Sequence, residues 1–154
     1  MKDHTPQSGT ILLVEDNADD SVLTERALRR GGLTNEVVVA CDGVEALEYL
    51  FGREGSGVRE LPVLVLLDLK LPKVCGLEVL ERIRGDKRTK DLPVIVLSSS
   101  DEERDLVESY RLGADRYVRK TVDFTGFCET VRQLGSQWLS LRSKPDASEG
   151  RANR

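Results

Sequence analysis

Short apolar runs alternate along the chain with longer segments in which apolar residues recur every three or four positions. Ile11-Leu12-Leu13-Val14, Val63-Leu64-Val65-Leu66-Leu67 and Pro93-Val94-Ile95-Val96-Leu97 are apolar without interruption. Residues 35–41 and Arg116-Tyr117-Val118-Arg119 are shorter or more mixed. Each run predicts a strand. Uninterrupted apolar character is the mark of a strand covered on both faces, as in a parallel sheet. Helical spacing follows each run. The first helix opens near Asp19-Asp20, whose charges suit a helix N-terminus, and stops at Gly31-Gly32. Further helices follow Asp42-Gly43 (Val44, Leu47, Leu50, Phe51), Lys70-Leu71-Pro72 (Leu77, Leu80, Ile83) and Asp101, the last ending at Gly113. A fifth covers 124–141. Strand then helix, five times over, implies an α/β fold: a doubly wound, five-stranded parallel sheet with five helices.

The flanks lack this pattern. Residues 1–9 are a polar, flexible lead, 10–141 form one domain, and 142–154 are a polar tail expected to be disordered. No run approaches the ~20 apolar residues of a membrane span, and no signal-peptide core opens the chain. A soluble cytoplasmic protein, away from membranes, is therefore expected. The 154 residues carry 27 acidic and 23 basic side chains, a net charge of −4. That is not the basic excess of a nucleic-acid binder, so no nucleic-acid partner is expected. The cysteines, Cys41, Cys75 and Cys128, are odd in number and widely spaced. They support neither a zinc site nor a disulfide framework, and mostly packed, reduced thiols are expected. His4, in the polar lead, is the only histidine.

In a doubly wound sheet, ligands sit beyond the carboxyl ends of the strands. Glu15 and Asp16 follow the first strand, Asp68 the third, Ser98 the fourth and Lys120 the fifth. Singly, each reads as a solvated strand end. Together, three carboxylates in one crevice repel, each like pair costing about 4 kcal/mol at about 4 Å and an effective dielectric near 20. A cation between them removes the cost, and oxygen ligands with a hydrated shell favour Mg²⁺. The Lys120 ammonium and the Ser98 hydroxyl then suit a tetrahedral anion beside the metal, as in a phosphoryl site.

With Val14-Glu15-Asp16-Asn17, Leu67-Asp68-Leu69-Lys70-Leu71-Pro72 and Gly76, Val96-Leu97-Ser98-Ser99, and Tyr117-Val118-Arg119-Lys120, the chain resembles the receiver domains of two-component response regulators over about residues 10–141. The resemblance implies the flavodoxin-like receiver fold with strand order 2-1-3-4-5. It also implies a signalling protein, assisting only its own phosphorylation and dephosphorylation, in place of an enzyme acting on other substrates. Asp68 matches the aspartate that takes a phosphoryl group from a histidine kinase. Asp16 and Asp68 match direct Mg²⁺ ligands, Glu15 a ligand acting through water, and the Lys70 backbone carbonyl a further ligand. Ser98 matches the hydroxyl that turns inward to the phosphoryl group, Lys120 the lysine that pairs with it, and Tyr117 the aromatic switch residue. The surface of the fourth helix, fifth strand and last helix then carries the signal. Lys70 and Ser100 flank the path of an attacking water and are expected to influence the lifetime of the phosphorylated state.

Three positions depart from the family's common pattern. Glu15 replaces the commoner Asp, and Cys75 stands where Asp often precedes Gly76. Thr121 follows Lys120 where Pro, often cis, is usual. A non-proline cis bond costs about 2.5–4 kcal/mol, so a trans loop with Lys120 slightly displaced is expected.

Only 34 residues follow Lys120, so no output domain is expected. On helix 124–141, Phe124, Phe127, Val131, Leu134, Trp138 and Leu141 form a heptad-like seam. Phe127, Val131 and Leu134 suit packing on the domain's own sheet. At about 27 Å the helix outreaches a strand of roughly 20 Å, leaving Trp138 and Leu141 overhanging. A homodimer is expected, with Phe124, Phe127, Trp138 and Leu141 in its interface. The 52–61 loop, Val63 to Leu71, Val122-Asp123-Phe124, Val131-Arg132-Gln133-Leu134-Gly135 and Trp138-Leu139 are similar to stand-alone regulators of phytochrome kinases, which implies a bacteriophytochrome as partner kinase. Two other readings stay open: a phosphorylation-independent interaction scaffold, and a phosphate sink or relay intermediate. A hydrolase with an aspartyl-phosphate intermediate would want a second Asp at position 70, which is Lys. A nucleotide-binding fold would want a glycine-rich turn after the first strand, where Glu15-Asp16-Asn17-Ala18 stands.

Overall fold

The computed structural model describes residues 9–52, 61–99 and 103–120, with 126, 129, 132 and 133. In chain order the elements are β1 (Thr10–Val14), α1 (Ala18–Arg30), β2 (Glu36–Ala40), α2 (Gly43–Phe51), β3 (Leu64–Asp68), α3 (Gly76–Arg84), β4 (Val94–Ser98), α4 (Glu103–Arg111) and β5 (Arg116–Arg119). The five strands are all parallel, in the order β2-β1-β3-β4-β5. The doubly wound sheet expected from the sequence is therefore present. Four helices fall among the described residues. The helix expected over 124–141, with Phe124, Phe127, Trp138 and Leu141, lies outside them except for isolated positions, as do the 142–154 tail and most of the 52–61 loop.

Each strand's side chains alternate between two cores. Ile11, Leu13, Leu64, Leu66, Ile95, Leu97 and Val118 pack with Ala27 and Leu28 of α1. Leu12, Val14, Val65, Leu67, Val94 and Val96 pack with Ala46 and Leu50 of α2 and with Val79, Leu80 and Ile83 of α3. Period-two alternation and two covered faces together explain why these runs are apolar throughout. Each such side chain contributes about 1.5–3 kcal/mol when fully buried. β2 departs from this rule, because it is an edge strand. Glu36 and Val39 are exposed, and Val37 and Val38 are only half-buried.

Local chemistry fixes the helix starts that feed the crevice. Asn17 caps α1, its Oδ1 accepting from the Asp20 N–H at 2.9 Å. Asp42 caps α2 in the same way, accepting from Glu45 N–H at 2.8 Å. At the opposite end of the sheet, Arg84 donates to the carbonyls of Gly113 (2.9 Å), Leu92 (2.7 Å) and Lys90 (3.0 Å), and pairs with Asp115 at 2.9 Å. Asp115 in turn accepts from the Val94 N–H at 2.8 Å, which ties the starts of β4 and β5 together.

The expectation of packed thiols is corrected for two cysteines. Cys41 and Cys75 are free and exposed. Cys41 lies one residue past the end of β2, and Cys75 is the N-cap position of α3, so neither side chain is carried into the core. Cys128 lies outside the described residues.

Candidate functional site

The strand registers bring the site residues together stepwise. Val14 pairs with Leu67, so Glu15 and Asp68, one residue on, end adjacent strands. Asp68 pairs with Leu97, and Ser98 pairs with Arg119. Lys120 then closes the row, its backbone N–H donating to the Ser98 carbonyl at 2.7 Å. β1 lies between β2 and β3, so the chain winds away from it in both directions, and the crevice opens where such a sheet binds ligands.

Close packing holds Asp68 in this place. A Cβ on Gly76 would lie 2.3 Å from the Asp68 carbonyl oxygen and 2.6 Å from Leu69 Cα. The Gly76 N–H donates to the Leu69 carbonyl at 2.9 Å. The start of α3 can thus sit directly on the end of β3 only because residue 76 has no side chain. Between them, Lys73 adopts φ 71°, a left-handed conformation uncommon outside glycine, and its ammonium pairs with Asp42 at 3.3 Å.

Lys120 is the centre of the polar network. Its Nζ donates to Glu15 Oε1 at 2.5 Å, Asp20 Oδ2 at 3.1 Å and Asp68 Oδ2 at 3.2 Å. The other oxygens are also engaged: Glu15 Oε2 accepts from the Asn17 N–H at 3.2 Å, and Asp68 Oδ1 from the Lys70 N–H at 3.1 Å. Glu15 is almost fully buried (2%), Asp68 is buried, and Asp16 is exposed. Burial pushes the Glu15 carboxyl up to about 7. The Lys120 ammonium holds it down and the Asp68 charge pushes it further up. Burial also opposes the charge on Lys120, but the hydrogen bonds and charges of Glu15, Asp68 and Asp20 outweigh it and raise its pKa.

Carboxylate oxygens of Glu15, Asp16 and Asp68 lie within 4.8 Å of one another. Hard oxygen donors, two buried and one open to solvent, fit a small divalent cation that keeps part of its water shell, as Mg²⁺ does. Glu15 also serves as the buried counter-ion of Lys120.

Ser98 is fully buried at the end of β4. Tyr117 is half-buried on β5, and its backbone N–H donates to the Tyr110 hydroxyl at 3.1 Å. The fold thus gathers Glu15, Asp16, Asp68, Ser98 and Lys120 at neighbouring strand ends, and places Lys70 two residues beyond Asp68. Thr121 lies outside the described residues. Two participants were missed in the sequence. In the sequence Asp20 signals only a favourable charge at a helix start, and Tyr110 carries no motif. Asp20 faces Lys120 across 100 residues of chain, a distance over which no local signal operates.

The model for the response regulator receiver domain matches residues 11–132. Among curated proteins, the chain is 42% identical to the probable methanogenesis regulatory protein FilR2 of Methanothrix harundinacea, over 88% of this chain and 86% of that one. It is 34% identical to the response regulator Rcp1 of Synechocystis sp., over 96% and 100%. Among solved structures, it is similar to the phosphorylated cyanobacterial phytochrome response regulator RcpA (TM-score 0.81, 38% identity, covering 91% of this chain and 100% of that one). It is also similar to the Mn²⁺-bound form of Rcp1 (TM-score 0.78, 35% identity, 90% and 99%) and to the bacteriophytochrome response regulator AtBRR (TM-score 0.68, 49% identity, 84% and 94%).

Proposed function

For a chain that belongs to the response regulator receiver family, we propose that Asp68 accepts a phosphoryl group from a partner histidine kinase in a Mg²⁺-dependent reaction. The observation that carries the proposal is the convergence of Lys120 on Asp68 and Glu15 beside the exposed carboxylate of Asp16. Phosphoryl transfer needs in-line approach and charge neutralisation more than covalent help from the protein. Asp16, Asp68 and the Lys70 carbonyl would hold the cation directly and Glu15 through a water, and the cation would supply neutralisation of the phosphoryl oxygens. Asp68 forms the new oxygen–phosphorus bond as the bond from phosphorus to the donor's leaving group breaks. Lys120 neutralises a phosphoryl oxygen, and Ser98 donates to another after turning inward.

Phosphorylation adds about −1.5 to −2 charges and three acceptor oxygens at the crevice. Ser98 and Tyr117 translate that charge into a changed surface on α4, β5 and the helix expected after it. Tyr110 and Tyr117 already join α4 to β5, which supports this route.

The proposed kinase is a phytochrome. RcpA and AtBRR are phytochrome and bacteriophytochrome response regulators by name. The proposed receiver domain is 10–141, dimeric through Phe124, Phe127, Trp138 and Leu141, and cytoplasmic. Among the described residues no helix is long and apolar enough to cross a membrane. Light-scattering mass at high micromolar concentration tests the dimer: a mass of two chains is expected, and one chain contradicts it.

Incubation with Mg²⁺ and acetyl phosphate tests the function. A mass gain of one phosphoryl group is expected. No gain would favour a scaffold that keeps the fold without the chemistry.

A further inference from the structure

Of the three carboxylates around Lys120, Asp20 alone has no part in the reaction as described. Asp68 is esterified, and Glu15 belongs to the oxygen group that faces a cation. Asp20 stands outside that group, in the first turn of α1. Its backbone N–H is satisfied by the Asn17 cap, and its carboxylate reaches back across the crevice to the end of β5. An ammonium has three N–H donors, and here they meet Glu15 Oε1, Asp20 Oδ2 and Asp68 Oδ2 at 2.5, 3.1 and 3.2 Å.

We propose that Asp20 is a positioning residue for phosphoryl transfer, holding the Lys120 ammonium beside Asp68 while the other two carboxylates change partners. The inference rests on the phosphoacceptor role of Asp68. A lysine swings on a flexible four-carbon stem. As Glu15 turns toward a cation and Asp68 attacks the phosphorus, two of its three anchors are given up, and the Asp20 contact remains. The ammonium then meets the incoming phosphoryl oxygen already in place, so its ordering is not part of the barrier. Asp20 itself exchanges no proton. With acetyl phosphate as donor, an Asp68 oxygen bonds to phosphorus, the bond from phosphorus to the acetate oxygen breaks, and acetate leaves with that electron pair.

The test uses the full chain and the variants Asp20→Ala and Asp20→Glu. Both keep the backbone N–H that Asn17 caps. The rate of phosphorylation is measured against acetyl phosphate concentration in saturating Mg²⁺, and the Lys120 ammonium is followed by ¹⁵N NMR. For Asp20→Ala the maximal rate falls about tenfold or more, the half-saturating donor concentration is unchanged, and the ammonium signal shifts. Asp20→Glu recovers most of the rate. A wild-type maximal rate in Asp20→Ala overturns the inference. So does an effect confined to donor half-saturation, which a simple field effect on an anionic donor would give, and so does an Asp20→Glu variant as slow as Asp20→Ala. If the wild-type chain takes up no phosphoryl group, the phosphoacceptor reading fails, and this inference with it. The ammonium signal still reports the contact, since an unshifted signal in Asp20→Ala shows that Asp20 does not hold Lys120.

Discussion

Lys120 Nζ lies 2.5 Å from Glu15 Oε1, although 105 positions separate the two residues in the chain. Their side chains are 14% and 1% exposed, so the pair is largely out of water. Removing one partner of a buried pair leaves the other charge uncompensated, which costs about 3–5 kcal/mol. Lys120→Met should therefore lower stability in urea by roughly 3 kcal/mol in metal-free buffer. Mg²⁺ should recover part of the loss by taking over the neutralisation. A variant as stable as the wild type without metal would mean that the carboxylates do not depend on Lys120.

The raised Glu15 carboxyl gives the site a pH dependence with a defined sign. Its value of about 7 exceeds the ordinary 4.5, so the folded protein binds an extra proton between these limits. The stabilisation is full below about pH 4.5 and is lost as pH rises through 7. A nearby cation favours the charged form of Glu15, and a proton there opposes the cation. Mg²⁺ affinity should weaken as pH falls from 8 to 6, and the rise in melting temperature at fixed Mg²⁺ should be larger at pH 8. Equal shifts at the two pH values would remove Glu15 from the metal site.

Gly76→Ala tests how the phosphoacceptor strand is held. The added Cβ meets the Asp68 carbonyl oxygen at 2.3 Å and Leu69 Cα at 2.6 Å. Both are backbone atoms, so α3 must move away from the end of β3. A loss of roughly 1–3 kcal/mol in urea unfolding should accompany slower phosphorylation, because Asp68 moves with its strand. Unchanged stability would show that the packing tolerates a methyl group there.

Much of this was legible in the residues. Leu12 and Leu13 face opposite cores, and their neighbours on either side are as apolar as they are, so the run had to be a central strand of a covered parallel sheet. Glu15, Asp68, Ser98 and Lys120 could be placed at one edge because strand ends are marked by the switch from apolar to polar. Distance in the chain limited the rest. The bond from Lys120 to Asp20 depends on how the sheet turns β5 toward α1, and no spacing rule reports that. Glu15 could be matched to a metal site, but its role as counter-ion to Lys120 emerges only when β1 and β5 are seen to share one crevice. The exposure of Cys41 and Cys75 departs from the expectation because burial statistics describe cysteines in general, whereas these two fall just beyond a strand end and at a helix cap.

The proposed function turns on esterification of Asp68. Intact-mass measurement of the wild type and Asp68→Asn, side by side in Mg²⁺ and acetyl phosphate, tests it most directly. One added phosphoryl group is expected on the wild type and none on the variant, with both chains folded. An equal gain on Asp68→Asn would place the modification on another residue and rule out Asp68 as the phosphoacceptor.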